Sequence, residues 1–104
     1  MGGVLARNFI EALAMVLSSL LWLYWWIVLI SVLISWVNPD PRNPVVRVLR
    51  SMTEPLFWQI RRTMPFVVIG AIDLSPIVVM LGIMFLQRFV VASLVDLAAA
   101  VTSV

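Results

Sequence analysis

The sequence predicts an all-α membrane protein in which two transmembrane helices are joined by a cytoplasmic, amphipathic, Pro-kinked interfacial helix. Three observations point there. Hydrophobic residues fill 63% of the 104 positions and charged residues 12%, against about 45–50% and about 25% in an ordinary soluble domain. Two long stretches are almost free of charge, and all six prolines fall between them, from Pro39 to Pro76. A chain of this length suits one domain and has too little interior to hide so many aliphatic side chains from water. Lipid or a partner protein must take them up.

Composition also removes whole classes of chemistry. Cysteine and histidine are absent, which excludes disulfides, Cys- or His-ligated zinc, thiolate nucleophiles, bis-histidine haem and a histidine base. No cofactor is expected. Seven arginines against five acids leave a net charge of +2, too little for an electrostatic footprint on nucleic acid, and no groove-reading module is present. The segment from Met1 to Arg7 lacks a short apolar core followed by a small-residue cleavage site, so no cleaved signal peptide is expected.

The first span is placed at residues 12–37. From Ala12 to Pro39 there are 28 residues without a charge, and a membrane-spanning helix needs about 20. Fourteen residues between Ala12 and Val37 are Leu, Ile or Val; at about −0.3 to −0.6 kcal/mol each they favour insertion by roughly 4–8 kcal/mol. The run Asn38-Pro39-Asp40-Pro41-Arg42-Asn43-Pro44 ends the helix, because proline removes a donor and turns its predecessor away from helix. Trp22, Trp26, Leu29, Leu33 and Trp36 share one stripe of this span, beside Tyr24 and Trp25. Aromatics gather mainly at the interfaces, so a mid-span group marks contact with a partner, lipid, pigment or quinone, or else plain helix packing, the commoner use.

The connector is placed at 38–72. It carries Arg42, Arg47, Arg50, Arg61 and Arg62 against Asp40 and Glu54, an excess that assigns it to the cytoplasmic side of the membrane and both termini to the opposite side. Asn43 and Pro44 form a helix start of N-cap and first-position proline. At 100° per residue, Arg47, Arg50, Ser51, Glu54, Trp58, Arg61 and Arg62 fall within one arc of about 120°. Val45, Leu49, Met52, Leu56 and Ile60 lie opposite. Residues 44–64 therefore read as a basic amphipathic helix on the membrane surface, bent at Pro55. Its arginines either bind anionic headgroups, at about 1 kcal/mol each, contact a partner, or do no more than set topology. Thr63 to Ile72 is apolar but too short to cross, and Pro65 and Gly70 disfavour helix, so an interfacial or re-entrant segment is expected.

The second span is placed at 74–95. Ser75 and Pro76 suit an N-cap and first helical residue, with Asp73 near the positive end of the dipole. Twelve Leu, Ile, Val or Phe residues between Pro76 and Val95 contribute roughly −4 to −7 kcal/mol, more than the +2.5–3.5 estimated for the one arginine, Arg88. Arg88 lies about 18 Å along the helix from Pro76 and either snorkels to the far interface or meets a partner's carboxylate. Asp73 is expected to pair with Arg61, Arg62 or a backbone donor, and Glu54 with Arg50 or Arg61. Neither arrangement supplies an acid–base pair.

In order and spacing, Ile34-Ser35-Trp36, Asn38-Pro39-Asp40-Pro41-Arg42-Asn43-Pro44, Thr53-Glu54-Pro55-Leu56, Ile60-Arg61-Arg62 and Ile72-Asp73-Leu74-Ser75-Pro76 resemble the YggT family, called YlmG in Gram-positive bacteria. The likeness runs from about Leu20 to Gln87. It implies an integral membrane protein of bacteria and plastids without established enzymatic activity, whose relatives are associated with osmotic tolerance, division or nucleoid organisation, and assembly of a plastid b-type cytochrome. Some relatives carry two tandem copies of the unit; this chain holds one. If haem is involved, a chain without histidine would act as chaperone or scaffold for another. The family pattern highlights Ser35, Trp36, Pro39, Asn43, Pro44, Thr53, Glu54, Pro55, Arg61, Arg62, Asp73, Ser75 and Pro76, with structural and partner-binding roles implied.

The expected function is that of a non-catalytic subunit, scaffold or assembly factor for larger membrane complexes. The alternative is a homo-oligomeric channel or transport accessory linked to osmotic tolerance, with Asp73 and Arg61 forming charged rings at a pore mouth. Two spans bury too little of each other to shield Arg88, so a homo-oligomer or a larger membrane complex is expected.

Overall fold

A computed structural model describes residues 2–37 and 40–103. Helix α1 runs Gly2–Trp36, α2 Pro44–Thr63, α3 Ser75–Leu86 and α4 Ala92–Ser103. Between α2 and α3 lie a 3-10 turn, Pro65–Val67, and two short strands, β1 (Val68–Ile69) and β2 (Ile72–Asp73). A π-helical segment, Gln87–Val91, links α3 to α4.

Two helical stretches are long and apolar enough to cross a membrane, Gly2–Trp36 and Ser75–Thr102, of 35 and 28 residues. At 1.5 Å per residue they measure about 52 and 42 Å, longer than the roughly 30 Å hydrocarbon core. α1 starts at Gly2, ahead of the charge-free run, because nothing between Gly2 and Glu11 breaks a helix. The proline stop at Pro39 lies outside the described residues. Beyond it a turn forms in which Asp40 holds Arg42 N–H through its carboxylate at 2.9 Å and Asn43 N–H through its carbonyl at 3.0 Å. Asn43 is extended, accepts the Val45 N–H on its side-chain oxygen at 2.9 Å, and is followed by Pro44 as the first residue of α2.

The chain divides into two compact units. In the unit Tyr24–Gly82, the buried side chains are Val28 and Ser31 of α1, Val46, Thr53 and Phe57 of α2, Val67 of the 3-10 turn, and Ser75 and Val79 of α3. The packed face of α2 thus passes through Val46, Thr53 and Phe57, whereas the sequence pattern centres the apolar arc on Val45, Met52 and Leu56, and those three are exposed. α2 has one apolar strip that packs within the chain and a second, with Val48, that does not. It remains helical through Pro55, which leaves the Ser51 carbonyl without an intrahelical N–H.

The segment after α2, for which the sequence predicts no regular helix, forms a hairpin. β1 and β2 pair antiparallel, Val68 with Asp73 and Ile69 with Ile72, around a two-residue loop of Gly70 and Ala71. Gly70 has φ +62°, at the first loop position, where a type II′ turn takes glycine. Pro65 bars helix continuation, and the β-branched run Val67-Val68-Ile69 with Ile72 favours extended backbone.

The second unit holds the described residues of Met1–Leu23 and Ile83–Val104. Ala14, Ile83 and Ala98 are buried there. A Cβ on Gly3 would lie 3.3 Å from the Val101 carbonyl, so glycine lets α1 approach α4 closely. Phe85 and Phe89 stack with centroids 5.5 Å apart, and Gln87 Nε2 donates to the Ser18 carbonyl at 3.4 Å.

Candidate functional site

Polar side chains within the unit Tyr24–Gly82 gather where α2 meets α1 and the segment leading into α3. Arg61, near the C-terminal end of α2, is the hub. Its Nε donates to the Phe57 carbonyl at 3.3 Å, Nη2 pairs with Glu54, and Nη1 lies 3.5 Å from Asp73 Oδ2. These are the ion pairs among the described residues. Glu54 and Arg61 stand seven positions apart on one helix, two turns along the same face. Asp73 comes from β2, and its other oxygen accepts the Ser75 N–H at 2.9 Å. Asp73 therefore does two jobs: it receives Arg61 and closes the first turn of α3.

Capping of α3 by Asp73 differs from the predicted use of Ser75 as the cap. The Ser75 side chain is fully buried, and its hydroxyl has no hydrogen-bond partner among the described residues. Pro76 follows inside the first turn, where its missing N–H costs nothing.

A second polar contact joins α1 to α2. Thr53, 1% exposed, places its hydroxyl 3.3 Å from that of Ser31 and donates to the Leu49 carbonyl at 2.9 Å. One turn on, Ser35 donates to the Ser31 carbonyl at 3.0 Å. Two turns nearer the N-terminus of α1 than Ser31, the Tyr24 hydroxyl donates to the Met52 carbonyl at 2.9 Å. Sequence alone does not single out Ser31, and it places Tyr24 and Met52 only beside the aromatic stripe and on the apolar arc; the available signal is a serine at helical spacing within a run of aliphatics, facing a connector threonine.

The remaining arginines stand apart from this hub. Arg42, Arg47 and Arg50 are exposed. Arg62 lies over the Trp58 ring, 5.2 Å from its centroid, an i, i+4 cation–π contact. Trp36 is exposed, as are Trp22 and Trp26 on the same stripe of α1. Arg88 is exposed, sits in the π-helical segment and forms no ion pair among the described residues.

Chemically, the hub sets two carboxylates against one guanidinium and keeps a net formal charge of −1. Both acids lie against the guanidinium, Glu54 through Nη2 and Asp73 through Nη1. Among the described residues no group of three or more acids converges to hold a metal ion.

A model of the CCB3/YggT family matches residues 10–94. The chain belongs to the CCB3/YggT family. An uncharacterized protein of Pseudomonas aeruginosa is 31% identical over 93 residues, covering 89% of this chain and 46% of that protein. The uncharacterized YggT protein of Escherichia coli is 35% identical over 72 residues, 69% of this chain and 37% of its own length. An uncharacterized protein from the proC 3′ region of Vibrio alginolyticus is 40% identical over 63 residues, 61% of this chain and 32% of that protein. The chain spans less than half the length of these curated relatives. No solved structure matches it significantly. The matched region includes α2, the hairpin, α3 and the whole Arg61 hub, so the hub belongs to the family unit rather than to an appended segment.

Proposed function

We propose that this chain is a non-catalytic integral membrane protein that serves as a scaffold, subunit or assembly factor for larger membrane complexes. The observation that carries the reading is the contrast between the hub and the rest of the surface. Arg61, Glu54 and Asp73 satisfy one another and fasten α2 to the start of α3, while large apolar side chains along α1, α2 and α3 remain exposed. Chemistry is locked away and contact surface is displayed.

In this reading α2 is on the cytoplasmic face of a bacterial inner membrane and both termini are on the other side. Its exposed strip of Val45, Val48, Met52 and Leu56 meets acyl chains, and Arg42, Arg47, Arg50 and Arg62 meet anionic headgroups or an acidic partner. A homo-oligomer or larger membrane complex covers Arg88 and the outward aromatic stripe. The alternative of a homo-oligomeric channel or transport accessory would draw on the same charges: Arg61 is shared by Glu54 and Asp73, so each chain would bring a cluster of net formal charge −1, rather than separate rings of Asp73 and Arg61, to a pore mouth.

The test is depletion of the protein from its native membrane, followed by quantitative comparison of intact membrane complexes on native gels. A scaffold or assembly role requires at least one complex to fall in abundance and to recover with the wild-type chain but not with Arg61→Leu. Unchanged complexes, together with ion conductance in proteoliposomes of the purified chain, would transfer the reading to the channel class.

A further inference from the structure

We infer that the hairpin between α2 and α3 is a lipid-inserting wedge that dips into the headgroup–acyl boundary of the bilayer; the inference rests on the reading that Ser75–Thr102 crosses that bilayer. Ten residues from Thr63 to Ile72 carry no charge. Phe66 of the preceding 3-10 turn and Ile69 and Ile72 of the hairpin are 73%, 61% and 62% exposed, so the segment turns its largest side chains away from the chain that bears it. Such a concentration of exposed apolar groups at a loop tip calls for an apolar counterpart.

Covalent continuity identifies that counterpart as lipid. Asp73 ends β2 and Ser75 begins the apolar helix, so a single residue, Leu74, joins the hairpin to the end of a membrane span. The hairpin is therefore on the same side of the bilayer as the Ser75 end of that span, and its exposed apolar side chains draw it down to the interface. Charge and aromatic placement agree: Arg61 and Arg62 close α2 just before the hairpin, and Arg62 lies over the exposed Trp58. Tryptophan and arginine side by side suit the headgroup level.

Backbone bonding sets the depth. The strands satisfy each other across Val68–Asp73 and Ile69–Ile72, Val67 N–H bonds the Met64 carbonyl at 3.1 Å, and Leu74 N–H bonds the Val67 carbonyl at 2.9 Å. This internal pairing makes entry into a poorly hydrated layer affordable. A two-stranded ribbon still has outward-facing N–H and C=O groups on both edges, and these bar it from the hydrocarbon core. The side chains therefore reach about 5–10 Å below the headgroups.

The absence of cysteine makes the test clean. Single substitutions Phe66→Cys, Ile69→Cys and Ile72→Cys in the full chain are labelled with a nitroxide and placed in vesicles of phosphatidylethanolamine and phosphatidylglycerol. Ser51→Cys, on the polar face of α2, gives the aqueous reference, and Met84→Cys, about 14 Å beyond Ser75 along the helix, gives the mid-span reference. The wedge requires oxygen-to-nickel-chelate accessibility ratios at Phe66, Ile69 and Ile72 several-fold above Ser51 and below Met84. A water-like ratio at Ile69 with Met84 in lipid overturns the wedge alone. Shielding of Ile69 from both reagents also overturns it, since a protein then covers the tip. A water-like Met84 removes the spanning helix and the wedge with it.

Discussion

At the scale of single residues, Arg61 is the position where a conservative change should behave least conservatively. Three of its nitrogens engage three separate groups, the Phe57 carbonyl, Glu54 and Asp73. Lysine offers one ammonium and cannot span them. The Arg61 side chain is 32% exposed, so solvent screens each ion pair to about 0–1 kcal/mol, and loss of the set should destabilise the chain by about 1–2 kcal/mol. Unfolding in mixed micelles, followed by tryptophan fluorescence, should place Arg61→Lys close to Arg61→Ala. Full stability in Arg61→Lys would reduce the hub to a single charge contact. Gly70 is the other sensitive residue. Its φ of +62° is strained for any β-branched side chain, and Gly70→Val should cost about 1–3 kcal/mol. Beyond the two flanking residues, no heavy atom lies within 4 Å of where a Cβ would stand, so the penalty comes from backbone conformation. Gly70→Asn, which tolerates that region better, should recover much of it in the same measurement, and equal losses for Val and Asn would point to packing instead.

At the scale of elements, the contact between α1 and α2 turns on two hydroxyls. Thr53→Val keeps the shape of a buried side chain but leaves the Ser31 hydroxyl without this partner, at about 1–3 kcal/mol. Ser31→Ala removes the other half. Together the two changes should cost less than the sum of the separate costs, because an apolar pair leaves nothing unsatisfied. Additive losses would show that the two hydroxyls act independently. These same hydroxyls explain why the packed face of α2 differs from the one its pattern suggests. Counting aliphatics alone selects Val45, Leu49, Met52 and Leu56; the observed face passes through Thr53, whose polarity is met by Ser31 and Leu49. A tertiary partner on another helix cannot be seen in a local period. The Asn43–Pro44 start was readable because capping is a matter of adjacent residues. The attraction of Asp73 for Arg61 was readable because few charges compete for it. The hairpin was harder: its one local signal, a glycine and a small residue between β-branched neighbours, sat inside a run whose overall hydrophobicity dominated the reading.

At the scale of the whole molecule, the decisive question is what Arg88 meets. It lies 13 positions beyond Ser75, about 20 Å along the helix, exposed and without an ion pair among the described residues. Arginine at that depth disfavours insertion by about 2.5–3.5 kcal/mol, and leucine favours it by a few tenths, so Arg88→Leu should insert at least as well as wild type. Any loss must then appear in association. The π-helical segment Gln87–Val91 around Arg88 adds weight to this, since such widened turns are concentrated at functional positions. Arg88→Leu and Arg88→Lys, extracted in mild detergent and compared by light scattering on a sizing column, separate the two roles open to this residue. A carboxylate or carbonyl partner that needs the planar fork should be lost in both variants, with the high-mass species shifting toward monomer while membrane insertion stays intact. A snorkelling anchor should be served equally well by lysine, and assembly would then be unchanged in Arg88→Lys.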